Sequence, residues 1–292
     1  MMMRLSSLMT VPRSLAAVVL TVLIAAGPVR AGSPDPCRFP EDAAGTVSVL
    51  PQVSAVLKPG GHLRVLAVGS ATMFGPDASL APGTLTSQTL NNVRPIVPQL
   101  VPSGGAAHQP EASEQAFPRM MAKALEAQTP GLVVEVVFRG GRGFTAGDML
   151  AQMHEALTGG ALAGGKFQLV LWQTGTVEAV RNTPPGEFAE VLSNGAAEVE
   201  SAGANLILID PQFSRFLQTN SNLDPYTQAL VQTASMPGVG LFRRYDLMRI
   251  WANEGQIDLE RTPRADRRRM VQTLHACLGA ALARMVSAGA HT

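Results

Sequence analysis

Five short apolar runs, each set off by a turn signal from the helical patterns around it, constrain this chain more than any other feature. Residues 63–68, 132–138, 167–172, 205–209 and 239–242 are short for helices and dominated by Val, Ile, Leu and Phe. Their hydrophobicity is nearly continuous, as in strands covered on both faces. Helical patterns stand between and after them at 117–128, 145–157, 187–202, 224–234, from about 244, and at 266–286. The alternation predicts a three-layer α/β/α sandwich around a parallel, flavodoxin-like sheet. In such sheets functional groups collect at the carboxyl ends of strands. Those ends here are Gly69-Ser70, Gly140 to Gly143, Gln173 to Val177, and Asp210.

The N-terminus lies outside this alternation. Arg4 and Arg13 precede an apolar run at 15–26 broken only by Thr21, and Val29-Arg30-Ala31 follows. The run falls short of the roughly 20 residues a bilayer needs and reads as a secretory signal cleaved after Ala31. Residues 32–60 form an N-terminal extension, and 61–292 one domain with a Pro/Gly-rich insertion at 76–116. An exported protein, periplasmic or extracellular, is expected, with no membrane span in its mature chain. Losing the three arginines and no acid of residues 1–31 turns the net charge of +1 into −2. Without a basic excess, nucleic-acid binding has no electrostatic basis. In an oxidising compartment Cys37 and Cys277 are expected to pair, tying the start of the mature chain to its last helix.

Neither phosphate-loop lookalike survives its context. Gly160 to Lys166 has the GxxxxGK spacing, but Phe167 stands where a Ser or Thr would hold magnesium, and a strand follows instead of a helix. Gly141, Gly143 and Gly147 are spaced GxGxxxG, not as a dinucleotide fingerprint. The histidines His62, His108, His154, His275 and His291 show no metal-binding spacing, so neither metal nor cofactor is expected. His275, among Ala and Leu in the last helix, reads as a half-buried, hydrogen-bonded core histidine.

An ordered set of blocks is more specific. It runs through Val65 to Ser70, Phe117-Pro118, Arg139-Gly140-x-x-Gly143 and Leu171-Trp172-Gln173-x-Gly175-Thr176. It continues through Asp210-x-Gln212, Phe242-Arg243-Arg244 with Met248 and Trp251, and Cys277-Leu278. In these blocks the chain resembles the SGNH/GDSL hydrolases, especially secreted bacterial members, over nearly its whole mature length. The resemblance implies ester hydrolysis by a serine in the first block, an oxyanion hole from the Gly and Asn blocks, and a C-terminal Asp-x-x-His.

Carried over position by position, most of that machinery is missing. The nucleophile position is Ala71, which has no hydroxyl. Gly140 still offers an N–H. The Gly-x-Asn-Asp block maps onto Gly175-Thr176-Val177-Glu178, so the oxyanion Asn is Val177, a loss typically worth about 10²–10³ in rate. Asp-x-x-His becomes Asp266-Arg267-Arg268-Arg269, and Arg269 stays protonated and cannot act as a base. No Asp-x-x-His occurs anywhere in 255–292.

The expectation is therefore an exported, catalytically degenerate member that binds an envelope saccharide or acyl-ester ligand, or an envelope partner. Ser70, Gly140, Thr176 and Arg269 are the candidate ligand contacts, with Arg267, Arg268, Arg139 and Arg142 nearby. Arg269 is expected to pair with Asp266 or Glu178. The alternative is an active esterase or acyltransferase on envelope glycans that uses Ser70, one position early, with His275 as a substitute base.

Overall fold

The computed structural model describes residues 35–47, 49–76, 111–159 and 164–291. The expected signal segment, most of the 76–116 insertion, His108 and the first half of the GxxxxGK lookalike lie outside them. Six strands form one sheet: β1 (Gly45–Thr46), β2 (His62–Gly69), β3 (Val133–Gly140), β4 (Leu169–Gln173), β5 (Asn205–Ile209) and β6 (Val239–Phe242). Their spatial order is β1-β6-β5-β4-β2-β3, with β1 antiparallel to β6 and every other pairing parallel. Without β1 this is the flavodoxin-like order, and the chain reverses its winding between β2 and β4.

Strands β2, β4, β5 and β6 are largely apolar on both faces because both faces are covered, whereas the edge strand β3 keeps an exposed Val133 and carries Glu135. In β2, Leu63, Val65 and Ala67 enter one core with Phe117, Met121, Trp251 and Leu278. Leu66 and Val68 enter the other, with Met149, Met153, Trp172, Phe188 and Leu192. The period-2 alternation of the pleat thus survives as a choice between two cores. Arg64 is the polar exception within this strand. Its Nε and Nη2 donate to Glu135 Oε2 and Oε1 of β3 at 2.8 and 3.2 Å, and its guanidinium lies 4.7 Å from the Phe167 ring centre.

The segment expected as an N-terminal extension is built into the domain. β1 adds an edge strand, and Leu50 and Val53 are fully buried. A one-turn helix, Pro51–Ser54, is held at its start by the Asn205 side chain, whose Oδ1 accepts from Gln52 and Val53 N–H. The Cys37–Cys277 disulfide is present and joins this segment to the last helix, Arg267–His291, across 240 positions. Among the described residues, no helix is long and apolar enough to cross a membrane.

Candidate functional site

The winding reversal brings the ends of β2 and β4 side by side, and polar groups begin where their apolar runs stop. Gly69 closes β2 opposite Gly140 of β3. Ser70 follows in extended conformation and starts a 3-10 turn, Ala71–Met73. Gln173, the last residue of β4, is buried. Its Nε2 donates to Ser70 Oγ at 2.6 Å, and its Oε1 accepts from Thr72 Oγ1 at 3.1 Å. Thr72 Oγ1 in turn accepts from Nη1 of Arg244, at 3.2 Å. Ser70, Thr72, Gln173 and Arg244 therefore form one chain of hydrogen bonds, running from the part-exposed Ser70 inward to a fully buried guanidinium.

Two titratable groups lie behind this chain. Asp210, at the end of β5, is buried, and its Oδ1 accepts from the Tyr245 N–H in the first turn of helix Arg244–Asn253. Burial pushes its carboxyl up to about 7, against the pull of that hydrogen bond and of Arg244. His275 is fully buried, not half-buried as its sequence context suggests. Its Nδ1 accepts from the Phe117 N–H at 3.2 Å, and burial with the nearby Arg244 charge drops its pKa to about 3. A neutral imidazole is held with Nδ1 already engaged. Burial also lowers Arg244 to about 10, which leaves it charged at neutral pH.

These groups give opposite pH responses. Asp210 binds its proton more tightly folded than unfolded, so its contribution is full below about 4 and is lost as pH rises through about 7. His275 binds its proton less tightly folded, so its contribution is present above about 6.5 and is lost as pH falls toward about 3. The two slopes oppose each other between about 4 and 6.5. Asp210→Asn should therefore make melting temperature fall more steeply on acidification through that window than in the wild type. His275→Gln should do the reverse, and identical profiles for all three proteins would contradict the assignment.

Of the residues singled out in the sequence, Ser70, Ala71 and Gly140 meet at the β2–β3 ends. Thr176 is buried at the start of helix Thr176–Arg181, just beyond β4. Val177, which the resemblance aligns with the family's Asn, lies in the same turn. Glu178 is buried, and its carboxylate accepts from the Gly175 and Ala146 N–H groups, fastening the β4 loop to the start of helix Ala146–Gly159. Arg269 is paired with Asp266 at 3.0 Å, and its side chain is 80% exposed. No hydrogen bond or ion pair joins it to Ser70, Gly140 or Thr176 among the described residues. The sequence reading passed over Thr72, and it placed Gln173 and Arg244 within blocks without giving either a role. Their signal was positional: each is polar and stands just beyond, or at the very end of, a buried strand.

The family model described as Non-GDSL lipase-like matches residues 36–292. The chain belongs to the Non-GDSL lipase-like family. Its fold is that of the SGNH/GDSL hydrolases. It resembles a lipase/acylhydrolase from Enterococcus faecalis with a TM-score of 0.50 at 16% identity, over 77% of this chain and 96% of that one. It also resembles a two-domain esterase active on acetylated mannans, with a TM-score of 0.52 at 10% identity, over 87% of this chain and 57% of that one. Among curated proteins none matches.

Proposed function

We propose that this Non-GDSL lipase-like protein is exported and does not hydrolyse esters, and that it uses the strand-end site around Ser70 to bind an envelope saccharide or acyl-ester ligand. The observation that carries the reading is the partner of Ser70. The hydroxyl nearest the missing nucleophile accepts a hydrogen bond from the Gln173 amide, and among the described residues neither carboxylate nor imidazole touches it. An amide N–H has no lone pair with which to take the serine proton, so the hydroxyl lacks the adjacent base that activates a nucleophile. Val177 removes a side-chain oxyanion donor, and the engaged, acid-shifted His275 is a poor substitute base. The part-exposed hydroxyls of Ser70 and Thr72 suit hydrogen bonding to a sugar or an ester carbonyl, and a fold neighbour is described as active on acetylated mannans. The Cys37–Cys277 disulfide is consistent with export.

The test uses p-nitrophenyl acetate and a fluorophosphonate probe on the purified protein. Neither turnover above the uncatalysed rate nor labelling is expected. Stoichiometric labelling that vanishes in Ser70→Ala would overturn the reading in favour of an active esterase built on Ser70.

A further inference from the structure

The innermost member of the strand-end site is Arg244, which is 1% exposed. One of its nitrogens, Nη1, has an acceptor, the Thr72 hydroxyl. Nε and Nη2 are buried with no hydrogen-bond partner among the described residues. Among the described residues no carboxylate forms a close ion pair with Arg244, although the charge of Asp210 acts on it from nearby. A buried guanidinium normally has its charge matched and its N–H groups occupied, since removing it from water is costly otherwise. Here the charge is buried, and one hydrogen bond and the nearby Asp210 carboxyl are all that answer it.

The two unpartnered nitrogens are not arbitrary. Nε and Nη2 form one flat edge of the guanidinium, with two parallel N–H groups spaced to meet two oxygens of one anion. The same protein displays that pairing at Arg64, where Nε and Nη2 grip the two oxygens of Glu135. At Arg244 the equivalent edge has no hydrogen-bond partner among the described residues, while the remaining nitrogen, Nη1, reaches the Thr72 hydroxyl of the strand-end site.

We infer that Arg244 anchors an oxyanion site, taking the carboxylate or phosphate group of a ligand on its Nε/Nη2 edge, with Ser70, Thr72 and Gln173 as neutral hydrogen-bonding neighbours. The inference rests on the ligand-binding reading above and gives that ligand a charge. It carries an acidic group, as in a uronic sugar, a free acyl carboxylate or a phosphorylated glycan. A neutral ester or saccharide alone leaves the guanidinium edge unanswered.

The experiment measures the melting temperature of the full chain with glucuronate, acetate or inorganic phosphate, against chloride at matched ionic strength. The neutral methyl ester of glucuronic acid serves as a further control. At about tenfold excess over Kd, a binding anion should raise the wild-type melting temperature by about 4 °C. Chloride and the neutral ester should not. A response to the carboxylates alone, or to phosphate alone, supports the site and identifies which chemistry it takes. Arg244→Met keeps the volume and removes the charge. It should melt at or above the ligand-free wild type and ignore the anions. Arg244→Lys keeps a charge without the flat edge and should weaken binding at least tenfold, which preserves the test if the Met variant does not fold. An absent anion response, or one that survives both replacements, would falsify the inference. Ester turnover is followed on the same samples, so its appearance would overturn the non-catalytic reading separately.

Discussion

Replacing Cys37 and Cys277 together with alanine should lower the melting temperature by on the order of 10 °C. The cross-link closes a loop of 240 positions, nearly the whole domain. In the chain-entropy model, opening a loop that long frees the unfolded ensemble by about 4–5 kcal/mol, and a degree-scale conversion for a domain of this size gives the stated drop. The effect acts mainly on the unfolded chain, which makes a second signature available. An unfolded state without the cross-link exposes more surface, so the denaturant m-value should rise as the midpoint falls.

A native-state loss adds to the same drop. The bridge anchors the start of a segment that also packs on the domain: Phe39 meets Trp251 edge-on at 6.0 Å, and the Arg38 carbonyl accepts from Trp251 Nε1 at 2.9 Å. β1 contributes only two residues to the sheet. Without the tether, fraying of this segment leaves the buried Trp251 N–H without its acceptor. Reduction of the wild type should reproduce the double variant in both midpoint and m-value. An unchanged midpoint on reduction would show that the residual contacts suffice.

How much of this molecule was legible in its sequence varies with the range of the forces involved. β2, β4, β5 and β6 could be read because their side chains meet two apolar layers, and that demand is written residue by residue. β3 runs on past 138 to Gly140 because it continues to pair with β2 as far as Gly69, which no local pattern records. β1 and the turn Pro51–Ser54 were not legible. They are too short for any period to register and are held by distant groups, the Phe242 strand, the Asn205 side chain and the Gly289 carbonyl. The last helix outruns the expected end at 286 and reaches His291, where Gly289 allows Val47 and Leu50 to approach.

The site divides the same way. Its expected location was read from where apolar runs stop, and the resemblance sets Ala71 at the family's serine position. The inward chain from Ser70 to Arg244 did not follow. Arginine is ordinarily a surface residue, and nothing in Arg243-Arg244 says which of the two points inward. The structure buries Arg244 and leaves Arg243 in an ion pair with Asp246 at the surface. Arg269 forms the expected pair with Asp266; with its side chain 80% exposed, the pair is solvated and worth at most about 1 kcal/mol.

Gly140→Ala should be the most damaging single substitution near the site, costing about 3–5 kcal/mol and lowering the melting temperature by about 10 °C. Two costs combine. Gly140 has φ +114°, a region where a Cβ is strongly disfavoured. A Cβ placed there would also lie 2.1 Å from the Gly69 carbonyl oxygen. That neighbour is backbone in a paired strand and cannot swing away, so β2 and β3 must part at the end that carries Ser70. Gly186→Ala is the matched control, since a Cβ there meets nothing within 4 Å and the position is helical. It should be neutral or stabilising by up to about 1 kcal/mol. The comparison is made by thermal and denaturant unfolding, and equal effects at the two glycines would rule out the strand-end clash. The prediction also bears on function. The resemblance makes Gly140 the surviving member of the family's oxyanion-hole pattern, and on that alignment its retention looks at first like a trace of catalysis. If the alanine variant unfolds as expected, close packing of Gly140 against Gly69 is reason enough for glycine, whatever the chemistry. Its presence beside Ala71 and Val177 then weighs nothing in favour of hydrolysis.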